Sequence, residues 1–507
     1  MSEEYKSINL FLAKNMSKEI IIIGSGVAGL ASAIRLSCNG YSVRIFESNT
    51  YVGGKISEIN ENGYRFDTGP SLFTMPNLID ELVKIGYKNP NKKFDYKKID
   101  VACSYFFEDG IILNAYSEKK RFIAEVTNKL DIDSKVISKY LNYVSFLFNS
   151  TNHIFIKKSL HKLSTYLSID TLFSFFKIPF LSIFKSMNET NTQRLKNKKL
   201  IKIFNRYATY NGSNPFVAPG ILNVISHLEF NEGVFLPNKG MRSIVNCLYE
   251  ICLKNGVIFE LGSKVDKIDI QDNIAKGIYS NKKYYSADII ISNIDIHYVY
   301  NHLLNKPHYL SSHSKNNRST SAIIFYWGIK KTFKKLSLHN ILFSKDYENE
   351  FNEIKNSSNV QSDPTVYINI TSKHIVTDAP KNSENWFVMI NVSHNKGQNW
   401  ELLLQNARKK IIKKINSFLN TDIEKFIEYE DYMDPTSIEF KTGAFQGSLY
   451  GSSSNDRMSA FLRHPNFINK IKNLYFCGGT VHPGGGIPLA LNSAKIVANE
   501  IISNEKK

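Results

Sequence analysis

Long uninterrupted hydrophobic runs are missing from this chain, and that absence narrows its class before any motif is read. No stretch reaches the roughly 18 consecutive apolar residues of a membrane-crossing helix, so none is expected. Residues 1–18 also lack the apolar core of a signal peptide, because Leu10-Phe11-Leu12-Ala13 is too short. Met16 stands just ahead of the first strand, so this leading segment reads as a disordered extension or a product of start-codon choice. Cysteine is scarce: Cys38, Cys103, Cys247, Cys252 and Cys477 are scattered, and the only close pair, Cys247 and Cys252, falls on a predicted helix. That excludes a disulfide framework, predicts free thiols in a reducing compartment, and argues against a dithiol redox centre. No metal-ligating set and no nucleic-acid-binding module are visible, although the net charge is +18. The charge has two readings: a Lys- and Asn-rich solvated surface, or attraction to anionic lipid at about 1 kcal/mol per well-placed Lys. Internal repeats and low-complexity linkers are absent as well.

What is present concentrates in two glycine-rich segments near opposite ends of the 507 residues. The first is Ile20-Ile21-Ile22-Ile23-Gly24-Ser25-Gly26-Val27-Ala28-Gly29. Its β-branched run suits a parallel strand buried on both faces. Gly24 permits a tight turn, Gly26 lets a pyrophosphate approach the backbone, and Gly29 lets the next helix pack on the strand. Leu30, Ala33 and Ile34 mark one face of that helix, and Gly40 stands where its C-terminal cap belongs. A second strand, Ser42–Phe46, delivers Glu47, a carboxylate placed to accept hydrogen bonds from ribose hydroxyls. Gly53-Gly54-Lys55 then adds another turn and a cation for the same diphosphate. The second segment runs from Leu474 through Cys477-Gly478-Gly479 to Gly484-Gly485-Gly486-Ile487-Pro488, again strand, turn and helix start. Cys477 reads as a small buried strand residue. With no second G-x-G-x-x-G for a nicotinamide dinucleotide, FAD as the sole redox cofactor is the expectation.

These residues resemble the amine-oxidase-like FAD superfamily, and within it the carotenoid desaturases of the bacterial phytoene desaturase type. Phe66-Asp67-Thr68-Gly69-Pro70-Ser71, Tyr210-Asn211-Gly212-Ser213-Asn214-Pro215, Ala218-Pro219-Gly220, His227-Leu228-Glu229, Gly233-Val234-Phe235-Leu236-Pro237 and His482-Pro483-Gly484-Gly485-Gly486-Ile487-Pro488 extend the match through nearly the whole chain. The pattern looks closest to the branch that includes hydroxycarotenoid 3,4-desaturases. The resemblance implies that Gly24, Ser25, Gly26, Ala28 and Gly29 hold the FAD diphosphate, with Glu47 on the adenosine ribose. Gly53, Gly54 and Lys55 would complete the diphosphate and ribityl contacts, Lys55 standing where the family often has Arg. The backbone near Val265 would touch the adenine. Gly478 and Gly479 would bring the last helix toward the diphosphate, while Gly69-Pro70 and Gly486-Ile487-Pro488 would flank the isoalloxazine.

It further implies an α/β fold: a discontinuous Rossmann-like FAD domain with an inserted mixed-sheet and helical substrate domain. The FAD domain is expected from residues 17–79, 230–299 and 440–507. Residues 80–229 are expected as a lid and membrane-facing helical segment, and 300–439 as a substrate sheet with strand-like runs at 321–329, 365–370 and 386–392. One basic amphipathic helix there shows Leu404, Ile411, Ile415 and Phe418 on its apolar side. The Phe-rich stretch 166–185, flanked by Lys157, Lys158, Lys162 and Lys185, reads either as a monotopic membrane patch around Phe175, Phe176 and Phe180 or as apolar helices covering the cavity. A lipid-dissolved polyene substrate favours the patch, and with it a cytoplasmic, peripherally membrane-associated protein. The implied reaction moves a hydride to flavin and loses a proton, with a quinone or oxygen as final acceptor. His482 and Glu229 are the candidates for the base; alternatively His482 fixes a turn and Glu229 belongs to a structural ion pair. A carotenoid isomerase, a polyene saturase, or a non-catalytic flavin-bound member of a pigment-synthesis complex would keep the same scaffold.

Overall fold

The computed structural model describes residues 18–152, 178–310, 318–356, 359–456 and 463–505. Phe175, Phe176, Lys157, Lys158 and Lys162 of the Phe-rich stretch, and residues 1–17, lie outside the described residues.

The isoleucine run forms the strand Glu19–Ile23 at the centre of a five-stranded sheet. Its neighbours are Ile289–Ser292 on one side and Ser42–Phe46 on the other, with Leu474–Phe476 and Ile258–Glu260 at the edges. Every pairing is parallel, which brings residues from three distant parts of the chain into one sheet. The four isoleucines alternate between two cores: Ile20 and Ile22 pack into one, Ile21 and Ile23 into the other. Burial on both faces is why the run shows no polar alternation. On the first face lie the helices Val27–Ser37, Arg242–Lys254 and Ile487–Glu505, which meet through Ala31, Ala33, Ile244, Leu248, Ala494 and Val497. The other face is covered by a three-stranded antiparallel sheet, Val265–Gln271, Ile274–Ser280 and Lys283–Ser286.

A seven-stranded mixed sheet forms the second layer system. The strand-like runs appear there as Ser321–Ile329, Val366–Asn369 and Glu384–Val392. Along Ser321–Ile329 the period of two sorts the side chains. Ile323, Phe325, Trp327 and Ile329 pack outward against the helix Trp400–Leu419, through Ala407, Ile411 and Ile415. Leu404 and Phe418 join that core only in part. Ala322, Ile324 and Tyr326 face inward with Phe66, Phe387 and Met433.

The span 80–229 supplies more than helices. Its strands Val101–Phe106 and Ile112–Tyr116 extend the same sheet, Tyr105 pairing in parallel with Ile341. The boundary between residues 79 and 80 falls inside the helix Asn77–Tyr87, whose Ile79, Leu82 and Val83 pack into the core beside the five-stranded sheet. Beyond the sheet edge, helices Ser134–Thr151, Met187–Leu195 and Lys198–Asn205 gather around Tyr140, Leu147 and Phe204.

Candidate cofactor and substrate site

The turn after the first strand is built around glycines that admit nothing larger. Gly24 adopts φ +94°, and a Cβ on Gly29 would stand 2.3 Å from the Gly24 carbonyl oxygen. The helix Val27–Ser37 starts at Gly26 with no side-chain cap, so its first N–H groups face the space in front of them. Gly53 packs beside this turn, its N–H donating to Ser25 O at 3.0 Å and its backbone bridging to Gly26. Arg242 holds that second turn by donating through Nη1 to Val52 O at 2.5 Å and Ile56 O at 2.9 Å. Glu47 is buried; its Oε2 accepts from the Ser25 N–H at 2.8 Å and from Ser25 Oγ at 2.7 Å. Its Oε1 accepts from the Asn49 N–H at 3.0 Å. A carboxylate so fixed at a strand end matches ribose hydroxyls.

A cavity of about 1670 Å³ opens in front of these turns. Gly24, Gly26, Ala28, Glu47, Gly53, Gly54 and Lys55 line it, as do Gly69, Pro70, Val265, Gly478, Gly479, Gly486, Ile487 and Pro488. Two expected cofactor contacts do not border it: Ser25, hydrogen-bonded to Glu47, and Gly29, packed against Gly24 O and Asn293. An uncapped helix start, side-chain-free turns and a fixed carboxylate around one elongated space fit an adenine dinucleotide with a flavin at its far end.

Lys55 is turned inward, donating to Leu449 O at 2.8 Å, and burial pushes its ammonium down to about 8 while Asp295 opposes the shift. Asp295 pairs with Arg318 at 3.1 Å, both fully buried. Buried in the desolvating wall, the Asp295 carboxyl is nonetheless held below its usual value by the Arg318 charge.

Beyond the glycine turns the same cavity is bordered by Ile324, Phe387, Met389 and Met433 from the inward face of the large sheet, and by Phe148, Ile221, Leu222 and Ile225 from the helical end. One part of this apolar wall is polar. Glu229 accepts from Tyr207 Oη at 2.5 Å and from the Tyr210 hydroxyl, and lies 3.7 Å from Arg206. Burial raises both phenols well above the usual tyrosine range, and Glu229 adds to the shift, so they stay protonated donors. Arg206 also donates to Tyr105 Oη at 3.0 Å. Next to this group, Tyr367 Oη lies 2.7 Å from both Ser71 Oγ and His339 Nδ1.

His482 lines the cavity beside Pro483, its N–H donating to His464 O at 2.9 Å and its carbonyl accepting from Asn466 at 2.8 Å. His482 and Glu229 both border the cavity, but in different surroundings: one in the flavin-side glycine segment, the other among tyrosines. Sequence reading overlooked Asn293, whose Nδ2 donates to Gly24 O at 3.2 Å and crowds Gly26 and Gly29. It also overlooked Asp295, Arg242, His339 and Tyr367. The only available signal was position, since Asn293 directly follows the expected strand end at 292.

Among the described residues no helix is long and apolar enough to cross a membrane. Phe180 and Phe184 are 65% and 68% exposed on the helical end, with Val217 and Phe146 also exposed.

A family profile described as flavin containing amine oxidoreductase matches residues 27–502. The chain is 48% identical over 484 residues to a 1-hydroxycarotenoid 3,4-desaturase of Flavobacterium sp. (strain P99-3), covering 96% of this chain and 99% of that one. It is 28% identical to a phytoene desaturase of Fusarium fujikuroi, covering 97% and 90%. An oxidoreductase from Methanosarcina mazei has the same fold, with TM-score 0.63 at 14% identity over 95% of this chain and 100% of that one.

Proposed function

We propose that this chain, which belongs to the flavin-containing amine oxidoreductase family, is an FAD-dependent carotenoid desaturase whose specific activity is the 3,4-desaturation of a 1-hydroxycarotenoid. The observation that carries this reading is the continuity of the cavity. The glycine turns that fit FAD and an apolar wall suited to a long hydrocarbon border one space. FAD, when bound, accepts the two electrons removed from the substrate and is reoxidised by a quinone or oxygen.

The chain's own residues do the rest. Ile324, Phe387, Met389 and Met433 hold the polyene in extended contact and exclude water. His482 is the proton acceptor in this reading, because it borders the cavity within the glycine segment expected to face the flavin. Both oxygens of Glu229 already accept phenol hydrogens, so Glu229 organises the polar part of the wall instead. The exposed Phe180 and Phe184, beside the helical end of the cavity, support contact with a membrane that holds the substrate.

Expression in cells that accumulate a 1-hydroxylated carotenoid, and in cells that accumulate phytoene, tests the function. The expected result is loss of two hydrogens per molecule with a red-shifted spectrum in the first strain. The same change confined to the phytoene strain replaces the specific activity with phytoene desaturation. Equal mass with altered retention would mean an isomerase, and a gain of hydrogens a saturase. Unchanged pigments beside folded yellow protein would mean a non-catalytic role.

A further inference from the structure

Three buried polar atoms on residues bordering the cavity lack a hydrogen-bond partner among the described residues: His339 Nε2, Arg206 Nε and Asn211 Oδ1. Buried polar groups are nearly always paired, so three orphans on one ligand cavity point to the ligand.

The tautomer of His339 follows from its neighbours. Asn369 Nδ2, which can only donate, lies 3.1 Å from His339 Nδ1 and 3.1 Å from Leu338 O. Nδ1 is therefore the acceptor toward Asn369, with the Tyr367 hydroxyl at 2.7 Å turned to donate to it as well, and in the neutral ring Nε2 carries the hydrogen. The ring is neutral: burial, aided by the Arg206 charge, pushes His339 down to about 3. The orphan set is thus two N–H donors and one carbonyl acceptor. An alcohol oxygen accepts two hydrogen bonds and donates one, which is the complement.

The place in the fold agrees. His339 lies one residue before Asn340, which pairs with Ser104, and Arg206 reaches the same strand through Tyr105. Tyr367 ties His339 to Ser71, the residue after Gly69-Pro70, which the family resemblance implies flanks the flavin. In a substrate hydroxylated at carbon 1 and desaturated at carbons 3 and 4, the hydroxyl oxygen is three bonds from the nearer reacting carbon. The site that reads it must then lie at the flavin end, where Ser71 anchors this group.

Resting on the desaturase reading above, we propose that His339 reads the hydroxylated end of the substrate, its Nε2–H donating to the hydroxyl oxygen while Arg206 and Asn211 complete the set. His339 is then the specificity residue that separates a hydroxylated polyene from its hydrocarbon parent.

The test uses the flavin-loaded enzyme with two substrates of equal length, one 1-hydroxylated and one not, and the variants His339→Leu and His339→Gln. Wild type is expected to favour the hydroxylated substrate. His339→Leu lowers kcat/KM for it by roughly 10- to 100-fold, mainly through KM, and leaves the hydrocarbon within about twofold. His339→Gln restores part of the loss, because its amide still donates. A His339→Leu enzyme that binds flavin and keeps the preference overturns the proposal, as does an equal loss on both substrates. Wild type that turns over neither substrate overturns the desaturase reading and this one together, whereas wild type that desaturates both equally keeps the desaturase reading and overturns this one. If His339→Leu does not fold, Asn211→Leu replaces it. That change removes the acceptor for the hydroxyl hydrogen, so the preference falls; an unchanged preference overturns the proposal.

Discussion

Gly29 shows how much one side chain matters in the cofactor turn. An added Cβ there would stand 2.3 Å from Gly24 O and 2.8 Å from Asn293 Nδ2, so either the turn opens or the helix moves. Gly29→Ala is expected to yield protein without the yellow flavin absorbance, checked by the flavin-to-protein absorbance ratio after purification. Glu47→Gln keeps the size but removes the charge, and should weaken FAD binding by about tenfold, or about 1.4 kcal/mol, in a titration of apoprotein. Both residues are legible in the sequence, because a strand–glycine–helix pattern followed by a strand-end acid has few other uses. Asn293 is not legible in that way. Its role comes from standing across the sheet from Gly24, some 270 residues away in the chain, and nothing local announces it.

At the scale of elements, regular periodicity was readable and edge membership was not. Ser321–Ile329 follows from its alternation, and Arg242–Lys254 from Ile244, Val245, Leu248 and Ile251 on one face. The strands Val101–Phe106 and Ile112–Tyr116 belong to the substrate sheet for a different reason: Tyr105 pairs with Ile341, a contact across more than two hundred residues. The helical end carries its own prediction. Phe180 and Phe184 stand between Lys177 and Lys185 in the sequence, and each ring buried at a lipid interface removes apolar surface from water. Phe180→Asp with Phe184→Asp should leave flavin content intact and shift the protein from the floating to the soluble fraction with anionic liposomes. Flotation equal to wild type would remove these two rings from any membrane contact.

The whole molecule closes three separate chain pieces and a large sheet around one cavity, and that burial sets its response to pH. Burial pushes His339 down to about 3, and His227 and His394 down to about 4, from the ordinary 6.5. Between 6.5 and those values the unfolded chain takes up protons that the folded chain refuses. Stability therefore rises with pH through this window and falls on acidification, by at most about 1.4 kcal/mol per pH unit for each histidine. Thermal unfolding followed from pH 7 to pH 5 should show a steadily falling midpoint, and His394→Gln should flatten the slope. A flat midpoint over that range would mean these rings gain protons while folded.

The sequence by itself determined the cofactor half of this protein. Turns that need glycine, a strand buried on both faces and a helix start are local demands on the backbone, so Gly24, Gly26, Gly29, Glu47 and Gly486 could be read in order along the chain. The substrate half was decided by tertiary structure. Whether His339, Arg206 and Asn211 share one cavity wall depends on which strand edges pair and which loops cross, and those pairings are settled by long-range burial that no window of sequence contains. The same holds for Glu229. Its carboxylate reads as either a base or half of an ion pair in one dimension, and becomes the centre of a tyrosine cluster only when Tyr207, Tyr210 and Arg206 fold around it.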